Sequence, residues 1–145
     1  MIKYISEKDF KICKSSFPLS YVDLIILNSK SEFLLVKRSI SPYKNKWCLP
    51  GGIVHFGEKL DKAIEWITKK ELGINIKLIK EIGFFEKIYP GRHDISHCYL
   101  AMTKDTEIKL DFQASKAKFF TKIPSQLGSF YIPMLQKAGV FKQVI

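Results

Sequence analysis

The stretch PGGIVHFGEKLDKAIEWITKKELGI (50–74) sets the strongest limit on how this chain can fold. It opens on a Pro-Gly-Gly turn and closes on Gly73, a residue suited to capping a helix C-terminus. Between them Leu60, Ala63, Ile64 and Ile67 recur at helical spacing and form one apolar face. Glu71 comes four residues after Ile67 and seven after Ile64, so it shares that face. Lys69 and Lys70 point elsewhere, and Glu65 lies on the outer side. A carboxylate turned toward the core is costly unless something pairs with it. Three partners are open to Glu71: a salt-bridging arginine, backbone donors, or a hard cation. Magnesium suits a carboxylate, a carbonyl and waters, and the PGG turn can present carbonyls beside the helix. The plain alternative is a helix-terminal glutamate that swings out to solvent.

The 145 residues suit a single domain spanning 1–145 with one core, and a 46% hydrophobic, 13% aromatic composition gives that core ample material. No apolar run is long enough to span a bilayer, and the N-terminus, which mixes charged and apolar residues, has no signal-peptide core. A cytoplasmic protein without membrane contact is expected. Cys13, Cys48 and Cys98 are far apart and form no metal-binding spacing, so they are expected to be reduced and structural. The net charge of +10 attracts polyanions, nucleic acid and nucleotide diphosphates among them. The lysines are spread rather than clustered, which makes generic surface lysine the plainer reading and nucleic acid an unlikely partner.

Along the chain, residues 7–14 read as a short helix ended by Pro18, with Phe10 and Cys13 on one side. YVDLIILN (21–28) reads as a buried strand interrupted by Asp23, and EFLLVKRS (32–39) as its hairpin partner. After Gly73 come two long strands, 75–89 and 95–103, joined by a PGRHD turn whose tip carries His93. EIKLDF reads as a further strand, PSQLG as a helix start, and YIPMLQKAGVFKQVI as a closing helix. This order predicts a mixed sheet flanked by helices, not a repeating βαβ chain.

Gly52, Glu58, Glu71, Gly73 and Ile74 resemble a Nudix box, whose pattern is G-x5-E-x7-R-E-U-x-E-E-x-G-U with U apolar. The box is degenerate: Trp66 holds the Arg position, Ile67 the first helix Glu, Thr68 the next apolar position and Lys70 the first of the paired glutamates. The run Trp66-Ile67-Thr68-Lys69-Lys70-Glu71-Leu72-Gly73 is similar to the one found in GDP-mannose mannosyl hydrolases. That similarity extends upstream through Asp9-Phe10, Pro18-Leu19, Asp23, EFLLVKR and Trp47, and covers about residues 7 to 74.

The resemblance implies a Nudix fold, a mixed β-sheet sandwiched between helices. It implies a magnesium-dependent hydrolase of a nucleotide sugar such as GDP-mannose, and a homodimer. In that branch water attacks the anomeric carbon and a nucleoside diphosphate leaves, so one metal on the diphosphate suffices. By position, Glu71, the Gly51 carbonyl and Gln113 would be metal ligands, with Glu58 in a water-bridged or outer role. Arg38 would contact the diphosphate, and Asp23 would belong to the sugar site, unless it is only a satisfied carboxylate under the sheet. Trp66 is a surface residue, an interface residue or a stacking platform for a base.

Three departures stand out: Ile53 replaces an arginine after the double glycine, Trp66 replaces the box arginine, and Ala114 occupies the position of the general-base histidine. His93 or Asp94, at the hairpin tip, is a substitute base. His97 aligns with a strand histidine of the branch, and His55 reads as a solvated loop residue. Two further classes stay open: a catalytically weak domain that binds a nucleotide or nucleotide sugar, and a basic RNA-associated protein. A close variant of the first reading cleaves the diphosphate by attack at phosphorus.

Overall fold

A computed structural model describes residues 5–41 and 43–140. Helix α1 (Glu7–Ser16) begins where Ser6 accepts a hydrogen bond from the Asp9 N–H at 3.1 Å, with Glu7 and Asp9 at its positive end. It ends just before Pro18 and leaves Phe10 and Cys13 half-buried.

Among the described residues seven strands form one mixed sheet: β1 (Leu19–Leu27), β2 (Phe33–Arg38), β3 (Trp47–Cys48), β4 (Gly51–Ile53), β5 (Lys77–Tyr89), β6 (Arg92–Met102) and β7 (Ala114–Phe120). The expected hairpin of β1 and β2 exists only at its root. Asn28 folds the turn, its Oδ1 accepting from the Lys30 and Glu32 N–H groups, but the strands pair only at Leu27↔Phe33. Beyond that they fork. β1 runs parallel to β6 and antiparallel to β4, while β2 pairs with β7 and β3. The segment from Trp47 to Ile53 bridges the fork, with β3 on β2, β4 on β1, and the Leu24 N–H donating to the Pro50 carbonyl at 2.8 Å. The Pro-Gly-Gly turn is therefore wedged between the two halves of the sheet.

Each face of the sheet carries its own core, which is why β1 reads as a nearly continuous apolar run. Val22, Leu24, Ile26, Leu34 and Val36 pack under Ala63, Ile64 and Ile67 on one face. Ile25, Phe33, Leu35 and Cys98 pack under Met134 and Leu135 of the last helix, α3 (Ile132–Ala138), on the other. The mixed sheet between helices is the fold expected from the sequence. Cys48 and Cys98 are buried, and all three cysteines are free.

The opening helix of the 50–74 stretch departs from regular form. It is α-helical as α2 (Leu60–Trp66) and then widens into a π turn over Ile67–Glu71. Thr68 Oγ1 donates to the carbonyls of Ile64 and Glu65 at 3.0 and 3.3 Å, competing with the backbone ladder. Gly73, at φ +64, then turns the chain as expected, and the Ile74 N–H returns to the Thr68 carbonyl at 2.9 Å.

Three expectations are corrected. EIKLDF is not a strand: residues 107–112 cross the end of the π turn, with the Lys109 and Asp111 N–H groups donating to the Leu72 and Glu71 carbonyls. PSQLG is not helical, because its backbone is engaged with Trp47, whose N–H and carbonyl pair with the Gln126 carbonyl and Gly128 N–H at 2.8 Å. A single 3-10 turn, Ser129–Tyr131, precedes α3, and residues 141–145 of the expected closing helix lie outside the described residues. Finally, PGRHD turns only at Pro90-Gly91. Arg92 and His93 are already paired across to Tyr89 and Ile88.

Candidate active site

The fork in the sheet and the end of the π turn meet at the double glycine. Gly51 lies opposite Asp23, and a Cβ on it would sit 2.2 Å from Asp23 Oδ1 and 2.6 Å from the Val22 carbonyl oxygen. Only glycine lets the turn approach the carboxylate this closely. A Cβ on Gly52 would lie 3.9 Å from Glu71 Oε1, so the Glu71 carboxylate faces the turn, as its place on the apolar face predicted.

Glu71 is half-buried, and its carboxyl is pushed up to about 7 by burial first and by the charge of Asp111 second, with Arg38 only partly offsetting them. Asp111 is held by an Asx turn in which its Oδ1 accepts the Gln113 N–H at 3.0 Å. That turn sets Gln113 beside Glu71, with both lining the same two pockets. Glu71, Asp111, the Gln113 amide and the Gly51 carbonyl are all hard oxygen donors. They fit a magnesium-type cation, which would offset the repulsion between the two carboxylates. Among the described residues no group of three or more His, Cys, Asp or Glu side chains has metal-holding geometry, so such a cation would rely on carbonyl, amide and water oxygens as well.

Beside this point opens a cleft of about 220 Å³ lined by Asp23, Arg38, Gly51, Gln113, Arg92 and Asp94 among others. Arg38 sits at a β-bulge, where the pairing of β2 with β7 shifts register, and the bulge re-aims its side chain. Its guanidinium donates to the Ile40 and Ser41 carbonyls at 3.3 and 3.2 Å, which leaves it fixed at the cleft wall. Asp23 is 5% exposed and accepts a hydrogen bond from Ser96. Burial pushes its carboxyl up to about 7. The Ser96 bond and Arg38 oppose the rise, and the charge of Asp94 adds to it.

A second cavity, of about 200 Å³, lies behind Gly52 and is lined by Glu58, Glu71, Trp66 and Gln113. Glu58 is nearly sealed at 3% side-chain exposure. It holds its own loop, Oε1 accepting from the His55 N–H at 3.2 Å and lying 3.4 Å from His55 Nδ1. His55 is therefore part of the loop's structure rather than a solvated residue. Trp66 is 42% exposed on the outer side of α2, under Lys70 Nζ at 5.9 Å from the ring centroid, and does not line the main cleft.

The structure thus brings together Asp23, Arg38, Gly51, Glu71 and Gln113, with Glu58 adjoining. It does not bring His93. With no tip to carry it over the site, His93 projects from β6 between the two cleft residues Arg92 and Asp94, and its Nε2 lies 3.0 Å from Glu86. His97 packs edge-on against Phe84 at 4.5 Å. Two site residues were not singled out from sequence, Asp111 and Tyr21, and Arg92 was read there only as a cation neighbouring His93. Asp111 had a signal, since it stands two residues before Gln113 in a loop. The i, i+2 spacing of Arg92 and Asp94 on a strand was another.

The NUDIX domain family model matches residues 18–122, which contain every cleft residue named above. Among curated proteins the chain is similar to the ADP-ribose pyrophosphatase of Methanocaldococcus jannaschii, 31% identical over 81% of this chain and 71% of the relative. It is also similar to the low-salt glycan biosynthesis protein Agl8 of Haloferax volcanii, 27% identical over 80% and 79%. Among solved structures it resembles the MutT protein of Methanosarcina mazei, with a TM-score of 0.75 at 22% identity, covering 84% of this chain and 94% of that one. The NUDIX domain of Shewanella oneidensis NrtR, solved with ADP ribose, has a TM-score of 0.68 at 18% identity, covering 93% and 97%. These two likenesses speak for the fold. The family match over most of the chain, joined to a relative above 30% identity, shows that the chain belongs to the NUDIX family.

Proposed function

We propose that this NUDIX protein is a magnesium-dependent hydrolase of a nucleotide sugar, with GDP-mannose as the first candidate, releasing free sugar and nucleoside diphosphate. The observation that carries the reading is that, of the α2 and π-turn carboxylates among the described residues, Glu71 is the one turned to the double glycine beside the cleft. Glu71 faces the double glycine beside Arg38 and Gln113, whereas Glu65 is on the outer face with Lys62 and Lys69 at 3.1 and 3.5 Å. Such a set would hold one cation, and through it and Arg38 a diphosphate. The relative Agl8, a glycan biosynthesis protein by name, supports a sugar-linked substrate.

Glu71, the Gly51 carbonyl and Gln113 would hold the ion, with Asp111 beside them and Glu58 behind. Bound there, magnesium supplies positive charge to the diphosphate. Arg38, fixed at the cleft wall, stabilises the negative charge that grows on the departing diphosphate. Water forms the new bond to the anomeric carbon as the bond from that carbon to the diphosphate oxygen breaks. Of the two carboxylates lining the cleft, Asp23 has no ion pair among the described residues, which supports it as the group that receives the proton of that water. Ala114 leaves the branch's usual base position empty of a titratable group, and Asp23 takes over that role. A homodimer belongs to the same reading, and light scattering tests it.

A second reading, attack at phosphorus, is favoured by Asp111 beside Glu71 and by the ADP-ribose pyrophosphatase relative. The test of the function is a panel of nucleotide sugars with magnesium, run on wild type and Glu71→Gln. Free sugar and nucleoside diphosphate from one substrate, lost in the variant, is the expected result. Binding without turnover across the panel contradicts it and favours a domain that only binds nucleotides.

A further inference from the structure

Arg92 and Asp94, the first and third residues of β6, both face the cleft, at its side away from Glu71. Arg92 Nε donates to both Asp94 oxygens at 2.8 and 3.0 Å, and an Nη donates to the Tyr21 hydroxyl. The guanidinium also lies over the Tyr21 ring at 5.3 Å. The two side chains are only 17% and 7% exposed. An ion pair so removed from water is poor value for stability compared with apolar residues of the same size. Strand pairing does not call for it either, since the backbones of β5 and β6 pair from Lys77↔Met102 to Tyr89↔Arg92. The remaining guanidinium N–H groups have no protein partner among the described residues, and none of them is a fully buried orphan. The cleft is thus presented with fixed donors beside a carboxylate that keeps accepting capacity.

We infer that the Arg92–Asp94 pair, braced by Tyr21, recognises the hydroxyl groups of the substrate's glycosyl ring. The inference rests on the nucleotide-sugar reading above. Each sugar hydroxyl both donates and accepts, so adjacent hydroxyls match an adjacent donor and acceptor. Position supports the sugar. Glu71, Arg38 and Gln113 share the small pocket where a diphosphate would lie, and neither Arg92 nor Asp94 reaches it. Asp23 stands between, against Gly51 and within electrostatic reach of Asp94. A ligand running from diphosphate past Asp23 meets this pair with its glycosyl group. A purine edge offers similar chemistry, and the test separates the two sources.

Two nucleotide sugars differing in one sugar hydroxyl, and two differing only in the base, are hydrolysed by wild type, Asp94→Asn and Tyr21→Phe, with thermal melting to check the fold. The expected result for Asp94→Asn is a loss of about 10- to 100-fold in kcat/KM for the preferred sugar. The ratio between epimers should collapse toward one, while the ratio between bases and the affinity for bare nucleoside diphosphate stay unchanged. A pair that is only structural lowers both epimers alike, and that outcome overturns the inference. So does a collapse of the base ratio in place of the sugar ratio. Where Asp94→Asn melts too low to assay, Arg92→Lys keeps the charge but not the fork and carries the same comparison. If wild type releases no sugar from any substrate, the hydrolase reading falls by itself and binding decides the inference. Wild type must then hold nucleotide sugar more tightly than bare nucleoside diphosphate, and Asp94→Asn must not. Equal affinities in wild type overturn it.

Discussion

Glu71 bears two costs at once, burial and the nearby charge of Asp111, and both favour its protonated form. Asp23 bears a similar load. A carboxyl whose folded pKa is raised to about 7 binds more protons in the native than in the unfolded state between its ordinary range and that value. Its contribution to stability is full below the ordinary pKa and is lost as pH rises through about 7. In magnesium-free buffer the melting temperature should therefore fall between pH 5 and pH 8, about. Glu71→Gln and Asp23→Asn should each flatten that slope, and magnesium should restore wild type at the alkaline end. A melting temperature that rises with pH across this window contradicts the account. At Gly51 the prediction is steric. Gly51→Ala puts a methyl against the Val22 carbonyl, which is backbone and cannot swing away, so a loss of about 1–3 kcal/mol is expected by denaturant melts.

At the scale of elements, the site depends on one irregular helix and one forked sheet. Ile67 is 2% exposed and begins the π turn that ends in Glu71. Ile67→Ala should cost about 2–5 kcal/mol, whereas Ser15→Ala, on the exposed face of α1, should stay within about 0.5 kcal/mol. Chemical denaturation of the two variants distinguishes them. Helix periodicity made the apolar face of α2 and the inward place of Glu71 legible before any coordinates. The Gly73 stop and the sandwich itself were also readable. The π turn was not, because Thr68's choice of the Ile64 and Glu65 carbonyls is settled by packing rather than by residue pattern. The fork between β1 and β2 was hidden because strand propensity is the same whether neighbours in sequence pair or part. His93 was misplaced for a related reason. Pro90-Gly91 suffices for the turn, so pairing consumes the residues after it. Asp111 and the Tyr21–Arg92–Asp94 group depend on contacts between distant segments, which a linear reading does not order.

For the molecule as a whole, the +10 charge acts on encounter rather than on fold. A polyanionic substrate should be drawn in, so kcat/KM should fall with added salt while kcat changes little. Steady-state kinetics at graded ionic strength check this, and a salt-insensitive kcat/KM contradicts it. Among the described residues no helix is long and apolar enough to cross a membrane. The central claim concerns which bond breaks. On the proposed reading, one helix carboxylate at the double glycine, Arg38 at the wall, and Asp23 and the Arg92–Asp94 pair beyond them direct chemistry to the sugar carbon. The most direct measurement is hydrolysis of the preferred nucleotide sugar in heavy-oxygen water, with products resolved by mass spectrometry. Label in the free sugar, with an unlabelled nucleoside diphosphate, is the predicted result. Label in a phosphate product means attack at phosphorus and contradicts the account.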